Sequence, residues 1–199
     1  MFSPKDTHTV LKRFTALFLF VGALWLIQAI NSASNYALNG SFGLIPRDLT
    51  GLDGVLGMPF LHVSYEHLIS NTAPLVMMGA LLAATATRAL VRVNTIIIVL
   101  GGVLVWLLGS HAIHIGASGL IFGWFGFLVA RGLVDRSPVT LASSAAIAVI
   151  YGSMVWGVLP GQEGISWEAH LFGCFAGVVA ALVVRSHVHA PRVRNVEKW

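Results

Sequence analysis

The stretch Val93-Asn-Thr-Ile-Ile-Ile-Val-Leu-Gly-Gly-Val-Leu-Val-Trp-Leu-Leu-Gly109 carries no charged side chain. From Thr95 to Leu100 it shows none of the apolar–polar alternation of a membrane barrel strand. A helix crossing a bilayer core of about 30 Å needs roughly 17–25 mostly apolar residues, and this stretch is long enough. Five more stretches read the same way: 14–30, 68–87, 118–134, 139–158 and 169–184. Arg131, close to one end of its stretch, is the one charged residue among them. The expected fold is all-α, a polytopic membrane protein with six transmembrane helices. Composition agrees. Of 199 residues, 56% are hydrophobic and 10% charged, against about 25% charged in soluble domains. That excludes a disordered chain. The single cysteine, Cys174, excludes a disulfide-stapled domain. The basic residues are scattered between apolar runs, so no nucleic-acid partner is expected.

Six spans place both termini on one side, and Lys and Arg decide which side. The terminal side holds Lys5, Lys12, Arg13, Arg88, Arg92, Arg131, Arg136, Arg185, Arg192, Arg194 and Lys198; the other holds Arg47 alone. Both termini are therefore expected in the cytoplasm. Residues 1–13 form a cytoplasmic N-terminus, 14–184 the membrane domain, and 185–199 a basic cytoplasmic tail that anchors the topology. The run 14–30 exceeds the usual 7–15-residue apolar core of a signal peptide. Two outer loops stand out. Residues 31–66 are too long and too apolar for a structureless connection, and are expected to form short interfacial segments. Residues 159–167 are rich in Gly and Pro and precede the last helix, as a connector or as a movable cap.

Polar groups inside a bilayer are costly and ask for a reason. His67 and Asn71 open the second span, Ser118 the fourth and His170 the sixth. The topology puts all four at similar depth near the outer face. Ser118 lies at a helix N-terminus, where free N–H groups favour negative charge, and such donors stabilise an oxyanion. Gly116 and Gly119 flank it. Gly173 and Gly177 follow His170 on one helix face, and Gly119, Gly123 and Gly126 line the fourth span. Small residues let membrane helices approach closely, as a Ser–His hydrogen bond between two helices requires. No Asp lies within the spans to orient the histidine, so the pattern supports a dyad. His67 and Asn71, four apart, share a helix face and supply either oxyanion donors or an interhelical polar contact. A zinc site built from His62, His67, His111, His114 and His170 is the weaker alternative, because no His-Glu-x-x-His occurs and the stretch from His62 to His67 has one residue too many for the inverted motif.

Three motifs in order, His62-x-x-x-x-His67-x-x-x-Asn71, Gly116-Ala-Ser118-Gly119 and Ala169-His170-x-x-Gly173-x-x-x-Gly177, resemble those of the rhomboid intramembrane serine proteases. The resemblance spans residues 60–184. It implies Ser118 as nucleophile, His170 as general base, and His67, Asn71 and the Ser118 N–H as oxyanion donors. It also implies a membrane-embedded first outer loop and a cap at 159–167. Two positions depart from the family pattern. Residues 51–59 lack the Trp-Arg pair often found in that loop, and Phe122 stands where many members have a Tyr stacked on the catalytic histidine.

The expected reaction is hydrolysis of a peptide bond in or near the membrane, with no metal and no organic cofactor. Expected partners are single-span membrane proteins and the lipid bilayer itself. The bacterial plasma membrane is the expected location, with the site toward the outer face. Competing readings are a non-catalytic relative that binds transmembrane clients, a metal-dependent hydrolase, and a transporter. The absence of acidic residues from the spans weighs against the last.

Overall fold

The computed structural model describes residues 4–85, 89–162 and 164–184, with side chains from Leu11 onward. Among them there is no strand, and the protein is a polytopic helical membrane protein. The long helices are α1 (Pro4–Ala33), α4 (Tyr65–Thr85), α5 (Leu90–Leu108), α6 (Ser118–Asp135), α7 (Pro138–Tyr151) and α8 (Trp167–Val183). Two short ones, α2 (Ala37–Phe42) and α3 (Gly54–Gly57), lie between α1 and α4.

Five helical segments are long and apolar enough to cross a membrane: Leu11–Ala33, Tyr65–Thr85, Leu90–Leu108, Ser118–Asp135 and Pro138–Val158. The sixth apolar run corresponds to α8, which is shorter. The first run, read at 14–30, belongs to a helix that begins at Pro4. The fifth, read at 139–158, changes character. It is α-helical to Tyr151 and tightens into a 3₁₀ segment over Gly152–Val158. Arg88, Glu163 and the basic tail from Arg185 lie outside the described residues.

Helix α6 is the centre of the bundle and packs on α4, α5, α7 and α8. Its closest neighbour is α8, for a reason written in glycine. A Cβ at Gly173 would collide with the Gly119 carbonyl, one at Gly177 with the Gly123 carbonyl, and one at Gly126 with the Cys174 carbonyl. Backbone therefore meets backbone along the pair, as small residues allow in membranes. Helix α7 starts at a capping box, with Ser137 and Thr140 bonding each other's backbone N–H and Pro138 in the first turn. Leu75, Met78, Leu82, Ile97, Leu120, Ile121 and Phe127 are among the side chains of the main apolar core.

The outer segment read at 31–66 starts in the end of α1 and finishes in the first turn of α4; between them, residues 34–64 contain short helical turns tied to the end of α5 and the loop before α6. Leu44 and His114 form an antiparallel bridge, with N–H···O distances of 3.1 and 2.8 Å. The Arg47 guanidinium donates to the Gly109 carbonyl at 2.8 Å, and the Trp106 indole N–H to the Asp48 carbonyl at 2.9 Å. Asn31 and Asn39 both reach the His62 carbonyl. Backbone groups that a loop would leave unpaired are thereby satisfied.

Candidate active site

Ser118 is the first residue of α6. The first turn of any helix leaves its N–H groups without intrahelical partners. The chain before it is held from two sides. The Gly116 N–H donates to the Met58 carbonyl at 2.9 Å, and the Ala117 N–H to His62 Nε2 at 3.4 Å. Gly116 has φ +128°, a region open to glycine and strained for other residues. A Cβ placed there would lie 3.1 Å from His67 Nε2 and 3.5 Å from Ser118 Oγ. His67 and Ser118 thus face the same small space, which the missing side chain keeps open.

His170 sits in the first turn of α8, buried. Ser166 caps that helix by accepting the Ala169 N–H, and His114 Nδ1 in turn bonds Ser166 Oγ at 2.5 Å. The His170 ring is fixed on two sides. Phe122, one turn along α6 from Ser118, stacks on it with centroids 4.1 Å apart and planes 7° from parallel. The Gly157 carbonyl lies 2.9 Å from Nδ1. A carbonyl only accepts, so Nδ1 carries the hydrogen and Nε2 is left as the basic nitrogen. Ser118 and His170 themselves form no hydrogen bond in this structure. Their helices nonetheless touch at the adjacent pair, where the Ala169 carbonyl is 3.3 Å from the Cβ position of Gly119. Catalytic hydrogen bonds are commonly longer before substrate binds.

On α4, His67 stands edge-on to His62, ring centroids 5.0 Å apart. Asn71 follows one turn on, buried. Asn71 Nδ2 and His67 Nδ1 are buried without a protein partner, as are His62 Nδ1 and the side-chain amide of Gln28 in α1; each such group asks for an explanation, of which a catalytic role is one. His62 is fully buried in the loop before α4. Loss of hydration, and secondarily the neighbouring His67, lowers its pKa from the ordinary 6.5 to about 4.

The five histidines considered for a metal do not converge. His111 is exposed, His114 is engaged with Ser166 and Ser110, and His170 with Gly157. Among the described residues no three His, Cys, Asp or Glu side chains gather as a metal site. Two participants are not apparent from the sequence. The partner of His170 is a backbone carbonyl, which any residue carries. Its one signature is Gly157 itself, where a Cβ would lie 3.2 Å from Nδ1 and 2.9 Å from Phe122 Cζ. His62 is part of the first motif, but its bond to Ala117 joins residues far apart in the chain.

Fold and geometry together define an integral membrane helical bundle with a serine and a histidine on two closely packed helices. The chain belongs to the rhomboid family: residues 52–187 match the Rhomboid domain. Members of that family are generally intramembrane serine proteases acting on transmembrane substrates in the bilayer. Similar chains include uncharacterized proteins of Mycobacterium tuberculosis and Mycobacterium bovis, each 38% identical over 179 residues, or 85% of this chain and 74% of the relative. An uncharacterized protein of Mycobacterium leprae is 34% identical over 175 residues, 83% of this chain and 68% of its own length.

Proposed function

We propose that this chain is an intramembrane serine protease with a Ser118–His170 dyad. The observation that carries the reading is the setting of His170: Phe122 and the Gly157 carbonyl hold a ring whose free nitrogen is Nε2, on the residue beside the α6–α8 contact at Gly119. In this reading His170 Nε2 takes the Ser118 proton as Oγ attacks the substrate carbonyl. The oxyanion is held by the Ser118 N–H, His67 and Asn71. His170 then protonates the leaving amine, and water hydrolyses the acyl-enzyme with the histidine again as base. The Gly157 carbonyl keeps the histidine in one tautomer and Phe122 keeps its plane.

Orientation belongs to the same proposal. With six spans, eleven of the twelve cationic residues would fall on the side of the termini, which supports cytoplasmic termini and a site facing outward in a bacterial plasma membrane. The test uses the whole 199-residue chain in lipid vesicles with a single-span substrate. Cleavage is expected for the wild type and absent for Ser118→Ala and His170→Ala. A fluorophosphonate is expected to label the wild type and not Ser118→Ala. Undiminished cleavage by Ser118→Ala would overturn the reading.

A further inference from the structure

From the end of the bundle away from Ser118 up to Leu120, helices α1, α4, α5 and α6 leave a groove of about 580 Å³, inside the range of about 300–1,000 Å³ common for ligand sites. Helix α1 packs on α4. The groove between these helices and α5 is walled by Leu17, Phe20, Leu82, Ile98, Leu120 and Trp124. Its polar residues besides the cations are few, and the main ones satisfy each other: the Trp124 indole N–H donates to Asn94 Oδ1 at 2.7 Å. Three cations border it, Lys12 and Arg13 from α1 and Arg92 from α5. Among the described residues none of the three has an ion-pair partner, and no Asp or Glu lines the groove.

An apolar slot in the membrane-spanning region, bordered at one end by three positive charges with no ion-pair partner among the described residues, complements a phospholipid with an anionic headgroup. We propose that this groove is a binding site for an anionic phospholipid, with an acyl chain along Phe20, Leu120 and Trp124 and the phosphate against Lys12, Arg13 and Arg92. Basic pockets between membrane helices suit anionic headgroups. A neutral lipid would fill the slot and leave the cations unmatched. The site is separate from the proposed dyad, and the inference does not depend on proteolysis.

The whole 199-residue chain is reconstituted in phosphatidylcholine vesicles containing phosphatidylglycerol or phosphatidylcholine with mid-chain bromines. Trp124 emission is isolated as the difference between wild type and Trp124→Phe. Phosphatidylglycerol is expected to quench it at several-fold lower mole fraction than brominated phosphatidylcholine. The preference is expected to fall about fivefold for each cation replaced in the series Lys12→Gln, Arg13→Gln and Arg92→Gln, the factor matching about 1 kcal/mol per basic residue at a membrane surface. It is expected to survive Arg192→Gln/Arg194→Gln/Lys198→Gln. Ala16→Phe, on an exposed residue bordering the groove, is expected to reduce quenching by either lipid while the protein stays folded. Equal quenching by the two lipids would overturn the proposal, as would a preference lost equally with the tail triple, which would reveal diffuse surface charge.

Discussion

Gly157 acts on His170 twice, by the carbonyl that holds Nδ1–H and by the side chain it lacks. In Gly157→Ala the carbonyl remains, but the new methyl would press on Phe122 Cζ at 2.9 Å and on His170 Nδ1 at 3.2 Å. The ring must shift by a fraction of an ångström. Misplacement of about 1 Å can lower a rate about 10²-fold, so kcat is expected to fall about 10-fold with substrate KM little changed. Phe122→Tyr keeps the stacked ring and is expected to stay within a few-fold of wild type. If Gly157→Ala cleaves as fast as wild type, the space left by the missing side chain does not govern the placing of the proposed base. His62 gives a prediction on stability. Its folded pKa, about 4, lies below the ordinary 6.5, so the unfolded chain binds the extra proton between those values. Its contribution is complete above pH 6.5 and lost as the pH falls toward 4, by up to about 3 kcal/mol. Melting curves in detergent micelles from pH 7.5 to 4 check this. His62→Gln, which keeps an acceptor for the Ala117 N–H, is expected to fall less steeply with acid, and identical slopes would remove His62 from the account.

Among the elements, the α6–α8 pair carries the candidate dyad, and its closeness is a property of backbone. Gly177→Ala puts a methyl into the Gly123 carbonyl; overpacking of this kind costs about 1–3 kcal/mol, and here the obstacle is backbone that cannot rotate away. Gly22→Ala in α1 meets nothing within 4 Å and is expected to be neutral or to stabilise by up to about 1 kcal/mol through helix propensity. Melting temperatures of the two variants should move in opposite directions or, at the least, only the first should drop. The same contrast explains what the sequence makes legible. Long charge-free runs announce the helices, because a bilayer forbids unpaired backbone and charge. The small residues at 119, 123, 173 and 177 announce which helices approach. The 3₁₀ segment at 152–158 is not announced, since its composition continues the apolar run before it. Nor are the ties of the 31–66 loop: the Leu44–His114 bridge and the Ala117–His62 bond join distant backbone groups and leave no periodicity to detect.

At the scale of the whole molecule, polarity is arranged along the bundle axis. The candidate site, the dyad with His67 and Asn71, sits where α4, α6 and α8 begin, and the cations that border the groove lie toward the opposite end, on the early part of α1 and at the start of α5. A substrate segment reaching Ser118 from within the bilayer arrives as a helix, with each carbonyl already bonded and shielded. Attack on a carbonyl requires that bond to open first. The cut is therefore expected near the end of the substrate helix on the Ser118 side, at a position where Gly, Pro or other small residues weaken the helix. Replacing such residues by Leu raises helix propensity by up to about 1 kcal/mol for Gly and about 3 for Pro, and should slow cleavage about fivefold for the first and more for the second if unwinding precedes the chemical step. Mass spectrometry of the products from a series of Gly-to-Leu and Pro-to-Leu substrates measures both the position and the rate. Cleavage mapped to the opposite half of the substrate helix, or rates indifferent to its helicity, would show that the segment does not reach Ser118 by this route.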